Sequence, residues 1–330
     1  MASNLFSGSA VGRDAIDEIV REIDDRMRVP LPGGAWHVGL PGTIPWVLLP
    51  WLLLFGGISA RCLLVGALTI LPLLLWWHRR ALRLRRRTSF LMSWMLASLG
   101  IEAGFYALAL RFGILVQSTL GTTAFATSLV ATLSAFALVK LADPMSTGGI
   151  PDAAGATTRA NRCAVCDLRV PRYDHYCAWV DEPIGAANHR PYLAFVTCML
   201  TTCAVGGVQL ISAACARGWS ARVAWARNES SVLLSFGLYG TVVAALVAAL
   251  LAHQIKLILS DQTGYEARKG IGAAGHTKRR PVKSFLAQTA PLLRLSMPMA
   301  MRRASTAAGA RPAPQRAAPT QSQSESAREL

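Results

Sequence analysis

Long apolar runs separated by short, arginine-rich loops leave this chain few ways to fold. From residue 43 to 77 nearly every side chain is apolar, broken by Arg61. A single helix of that length would extend about 50 Å, against a bilayer hydrocarbon core of about 30 Å. Two short spans joined by a tight turn near Ser59–Arg61 are therefore expected. Further apolar runs cover 89–110, 121–141, 191–216 and 231–252. In lipid the backbone has to satisfy its own hydrogen bonds, so each run predicts a helix. The expected fold is an all-α polytopic membrane protein with six transmembrane helices and a small cysteine-rich loop domain between helices 4 and 5. Of 330 residues, 52% are hydrophobic and 16% charged, which excludes an ordinary soluble domain.

The charge pattern sets the orientation. Six arginines lie between His78 and Arg87, and loops this basic stay on the cytoplasmic side. The net charge of +16 is carried beside apolar runs and in the tail without interleaved aromatics. That pattern points to topology and lipid headgroups, and no nucleic-acid partner is expected. Counting spans places both termini, the arginine loop and the 142–190 loop in the cytosol. The sequon at Asn228-Glu229-Ser230 then faces the lumen. No apolar leader precedes the first span and Ala2 excludes N-myristoylation.

The remaining polar segments complete the organisation. Ile16, Ile19, Val20, Ile23 and Met27 recur at helical spacing within a cytosolic segment, 1–42. Gly33-Gly34 and Pro41-Gly42 predict a loop there. Helices 1–4 occupy 43–141, with Glu102 inside the third span as a candidate functional acid or helix-packing group. The cytosolic cysteine-rich domain covers 142–190, helices 5 and 6 lie in 191–252, and a cytosolic segment follows at 253–304. Residues 284–301 suit the membrane surface, and the Ala/Pro/Ser/Gln-rich stretch 305–330 predicts disorder.

The chemistry is concentrated in one polar island, 162–195, whose centre reads Asp174-His175-Tyr176-Cys177. A cysteine nucleophile needs a base to form thiolate and a third group to orient that base. Cys177 is the candidate nucleophile, His175 the general base and Asp174 the group that orients the imidazole. Residues i and i+2 do not face each other on a helix, so a turn is expected there. Trp179 suits an anchor at headgroup depth. Of the other cysteines, Cys62, Cys198, Cys203 and Cys215 lie in apolar runs, where a thiol behaves as a small hydrophobe. Cys163 and Cys166 form a C-x-x-C outside any thioredoxin-like β/α pattern.

The segment resembles the cysteine-rich domain of the DHHC family of protein S-acyltransferases, in its DHYC form. The likeness rests on Cys163, Cys166, Asp174, His175, Cys177, Trp179-Val180, Ile184-Gly185, Asn188 and Phe195. Asp143-Pro144 stands where the family has Asp-Pro-Gly, and Thr263-Gly264-Tyr265-Glu266 where it has Thr-Thr-x-Glu. Six spans with DHYC are similar to the ankyrin-bearing branch, although no ankyrin repeat is visible. The resemblance implies a protein S-palmitoyltransferase in the endomembrane system, Golgi or endoplasmic reticulum. Palmitoyl-CoA would acylate Cys177, which would pass the chain to a cysteine of a substrate protein. Thr263, Glu266, Asp143, Trp179 and Asn188 would support the site, with membrane lipids and a helper or ankyrin-like partner as further contacts.

The family also implies two structural zinc ions, and here the sequence departs. One ligand set falls on Gly149, Asp152, Arg162 and Arg169, the other on Cys163, Cys166, Tyr176 and Pro183. His189 or Asp181 are the nearest substitutes. Zinc wants four ligands in a closed tetrahedron, so it is expected to be absent or confined to one weakened site at Cys163 and Cys166. Gly264 removes a threonine hydroxyl, Glu182-Pro183 replaces Asn-Cys, and Ala178 replaces Pro. A degenerate family member acting as a membrane scaffold or binding protein is the alternative. A transporter finds no duplicated hydropathy to support it.

Overall fold

The computed structural model describes residues 28–31, 34–37, 39–59, 61–66, 68–70, 72, 89–116, 118–146, 159–216, 228–270, 281–287 and 289. It is mostly helical. A hairpin of β1 (Arg28–Leu31) and β2 (Gly34–His37) precedes α1 (Leu40–Ile58), then α2 (Phe90–Arg111) and α3 (Thr119–Leu141). Two small hairpins follow, β3 (Asn161–Arg162) with β4 (Arg169–Val170) and β5 (His175–Cys177) with β6 (Glu182–Ile184). The long helices α4 (His189–Ala216) and α5 (Asn228–Leu259) come next, then the short α6 (Gly264–Lys269) and α7 (Pro281–Ala287).

Among the described residues, five helices are long and apolar enough to cross a membrane, and the chain is an integral membrane protein. They correspond to the first, third, fourth, fifth and sixth expected spans. The turn expected between the first two runs falls at Ser59. Its carbonyl and Oγ accept the amides of Leu63 and Cys62, opening a short apolar helix, Arg61–Ile70. The rest of the second expected span lies outside the described residues, as do the arginine loop, the amphipathic stretch ending at Met27 and the tail.

Three local expectations change. Gly34, placed in a loop by the sequence, instead pairs with Leu31 in the first hairpin, while Gly33 lies outside the described residues. Pro41 and Gly42 sit in the first turn of α1, where a proline's missing N–H has no intrahelical partner to lose. The last span continues as helix to Leu259, because hydropathy marks the apolar stretch and not the end of the hydrogen-bonded ladder. The cysteine-rich loop contributes strands, so the fold is not purely α.

The bundle is held by close packing and by hydrogen bonds between helices. α4 packs between α3 and α5, while α1 packs on α2 and α5. A Cβ on Gly237 of α5 would lie 2.9 Å from the Gly207 carbonyl of α4, so the two backbones touch where both residues are glycine. Thr132 bonds Thr202 at 2.9 Å, Tyr106 donates to Gln209 at 2.6 Å, and Ser235 donates to the Leu53 carbonyl at 2.8 Å. Glu102 is buried among them, and its Oε1 makes no hydrogen bond; Gly240 leaves it room, since a Cβ there would come within 2.5 Å. Of the two roles expected for this acid, the packing hydrogen bond is not made through that oxygen.

Candidate active site

The site is built where the small strands meet the ends of α3, α4 and α5. Strands alternate their side chains with a period of two, so His175 and Cys177 of β5 share one face. That replaces the turn expected from the sequence: extended backbone also brings i and i+2 together. β5 is held in register by β6, with His175 opposite Ile184 and Cys177 opposite Glu182. Glu182, a departure from the family pattern, pairs with Lys140 at the end of α3 at 2.8 Å and ties the hairpin to the bundle.

Asp174 is fully buried and accepts from His175 Nδ1 at 2.6 Å and from the Gly264 amide at 2.6 Å. Burial would raise its pKa, but these donors and the nearby imidazoles hold it well below the usual carboxylate range. His175 responds in the opposite sense. Burial alone would lower it, yet hydrogen bonds to Asp174 and Cys177 and the charge on both push it up to about 10. Cys177 is buried, which by itself raises a thiol, but His175 and the backbone N–H groups of Val180 and Trp179 bring it below its ordinary value. Each group thereby favours the charged form of the other, thiolate beside imidazolium. The two N–H groups could also receive negative charge developing on an oxygen beside the sulfur.

Most of the residues expected to support the site make contacts with backbone groups. Asn188 accepts from the Gly185 amide at 2.9 Å and donates to the Pro183 carbonyl at 3.0 Å, fixing the turn into α4. Thr263 and Glu266 form a reciprocal capping box at the start of α6. That cap aims the Gly264 amide at Asp174, so the contact needs no threonine hydroxyl. Glu266 also accepts from buried Arg159, whose guanidinium reaches Asp261, tying the loop domain to the end of α5. Asp143 is buried after α3, where Oδ1 accepts from the Met145 amide at 3.0 Å. It serves its own turn. Trp179 is 44% exposed.

Three further side chains and one backbone amide complete the site. Tyr192 of α4 meets the His175 ring edge-on, with its hydroxyl 4.0 Å from Cys177 Sγ. Gln254 of α5 donates to Asp174 at 3.4 Å. Arg172 is buried against His189 and the ring of Phe285. The Val180 amide faces the thiol. Each depends on a fold-dependent approach that short motifs do not encode.

The positions implied for zinc do not assemble a ligand set. Cys163 and Cys166 place their sulfurs 3.1 Å apart. Tyr176 and Pro183 are cross-strand partners, but Tyr176 donates to Asp181 and proline carries no side-chain donor atom. Arg162 pairs with Asp167, and Gly149 and Asp152 lie outside the described residues. Among the described residues, no group of three or more His, Cys, Asp or Glu side chains is placed to hold a metal. His189, a possible substitute, is engaged by Arg172 and Gln254.

Residues 155–271 match the family model described as DHHC palmitoyltransferase. The chain is similar to Palmitoyltransferase ZDHHC23-B of Danio rerio, 29% identical over 117 residues, 33% of this chain and 27% of that protein. It is also similar to Palmitoyltransferase ZDHHC23 of Homo sapiens, 24% identical over 260 residues, 58% of this chain and 62% of that one. To Protein S-acyltransferase 8 of Arabidopsis thaliana it is 28% identical over 110 residues, 33% of this chain and 27% of the relative. Each match spans less than two thirds of the relative's own length.

Proposed function

We propose that this chain, whose residues 155–271 match the DHHC palmitoyltransferase family model, is a protein S-palmitoyltransferase with Cys177 as its nucleophile. The observation that carries the reading is the Asp174–His175–Cys177 array, with its lowered thiol and raised imidazole, set at the ends of apolar helices. The Cys177 thiolate attacks the thioester carbonyl of an acyl-CoA. Charge on the carbonyl oxygen is met by the Val180 and Trp179 amides, and CoA leaves as its thiolate, protonated by the His175 imidazolium. The neutral imidazole then takes the proton from an acceptor cysteine, whose sulfur displaces Cys177 from the acyl group. Asp174 keeps the ring in one tautomer throughout. Asn188, Thr263 and Glu266 position these groups, Asp143 supports the neighbouring turn, and Trp179 anchors the loop at headgroup depth.

The remaining readings follow from the same placement. Six spans, with both termini and the 142–190 domain in the cytosol, put Cys177 in a reducing compartment. An endomembrane location, lipid contacts and substrate proteins with cytosolic cysteines accord with that topology. The domain is proposed to stand without zinc, because at the implied ligand positions Arg162–Asp167 and Tyr176–Asp181 form their own contacts. The alternative, a degenerate scaffold, is favoured by that same loss of ligands. Release of CoA from palmitoyl-CoA by purified protein separates the two. The transferase reading predicts release by wild type that Cys177→Ser abolishes. A wild type that binds palmitoyl-CoA without releasing CoA supports the scaffold.

A further inference from the structure

The catalytic dyad is backed by a buried chain of hydrogen bonds of one polarity. Arg172, fully buried, places Nη1 3.0 Å from His189 Nδ1. A guanidinium only donates, so Nδ1 accepts and the His189 proton sits on Nε2. That nitrogen lies 3.1 Å from Gln254 Oε1, and the Gln254 amide nitrogen lies 3.4 Å from Asp174 Oδ2. The direction of every bond is thereby fixed: each group donates toward Asp174, whose carboxylate also accepts from His175 Nδ1. We infer that Arg172, His189 and Gln254 are positioning residues that orient Asp174 and through it set the thiolate-forming tendency of Cys177.

Three observations favour a dedicated role. The chain of bonds joins the loop domain, the start of α4 and α5, so its geometry exists only when the domain is docked on the bundle. His189 is spent as a link and does not face the sulfur. Phe285 of α7 closes the outer end, stacking against the Arg172 guanidinium and meeting the His189 ring edge-on, which keeps water from the charge. The charged and titratable groups facing Asp174 are His175 beside it, Arg172 and His189 in the chain, Arg268 of α6, which donates to its carbonyl at 3.3 Å, and Tyr192 and Cys177 beyond the imidazole. The cations and neutral donors dominate this set, so removing Gln254 leaves the carboxylate less firmly aimed at the imidazole.

The inference rests on the acyltransferase reading only for its kinetic arm. The thiolate itself is read by iodoacetamide alkylation of Cys177 in detergent-purified protein, followed against pH by peptide mass spectrometry. Gln254→Met, close in volume but without a donor, is expected to move the alkylation midpoint up by about one pH unit. It should slow acyl-enzyme formation about tenfold without changing half-saturating palmitoyl-CoA. Gln254→His keeps an N–H for Asp174 and is expected to restore both. His189→Leu should shift the midpoint in the same direction, and it decides the matter if Gln254→Met does not fold. An unchanged midpoint in a folded variant overturns the relay. A wild type that shows the lowered midpoint but never forms acyl-enzyme overturns the transferase reading and leaves the relay standing.

Discussion

His175 and Cys177 carry opposite shifts because each stabilises the charged form of the other, with Asp174 reinforcing the imidazolium. For His175 the folded value is raised from 6.5 to about 10. Its contribution to stability is therefore complete below the unfolded value and is lost as pH rises through about 10. Asp174 is depressed, so its contribution is present above the unfolded carboxylate range and disappears only in acid. His175→Ala removes the partner charge and should return the thiol toward its ordinary value of 9.0. The rate of Cys177 alkylation at pH 7 is then expected to fall about tenfold or more, with Asp174→Asn moving in the same direction. An alkylation profile in His175→Ala that matches wild type would show that the imidazole does not activate the sulfur. These three residues were legible in the sequence because they are neighbours along the chain. Gln254, Tyr192 and Arg172 were not, since only the docking of α4 and α5 on the loop brings them together.

At the scale of elements, the loop domain has little apolar core of its own: Cys163, Val170 and Tyr173, with a few partly buried neighbours. Its docking depends on ties to the bundle, of which buried Arg159 with Glu266 and Asp261 is the most extensive. Arg159→Met leaves Glu266 without its main counter-charge, and removing one partner of a buried pair costs about 3–5 kcal/mol. A lowered midpoint for loss of activity on heating is expected. Adding Glu266→Gln, which keeps the capping box, should recover part of the loss, because the orphaned charge is gone. If the double variant is worse than the single one, the cost does not come from an uncompensated carboxylate. Apolar run length predicted helices at the five candidate spans, and positions such as Ser59 marked a turn. The small strands escaped because they are two to four residues long, with no alternating pattern to announce them. The role of Gly264 escaped because a backbone N–H leaves no trace in residue type.

At the scale of the whole molecule, the helices set the Cys177 thiol at the end of an apolar bundle, and side-chain contacts occupy positions where the family resemblance implies zinc. Treatment of the purified protein with a strong zinc chelator is accordingly expected to leave its unfolding temperature and CoA release unchanged, with less than one zinc per chain by elemental analysis. Stoichiometric zinc, or collapse on chelation, would contradict this. The central claim is transfer of an acyl chain through Cys177, and it is tested most directly by single-turnover mass spectrometry. Protein mixed with palmitoyl-CoA should carry a hydroxylamine-labile palmitoyl group on the peptide containing Cys177. That group should disappear as it arrives on the cysteine of an added acceptor protein. A palmitoyl group confined to other cysteines, or one on Cys177 that never leaves in the presence of acceptor, would contradict the account.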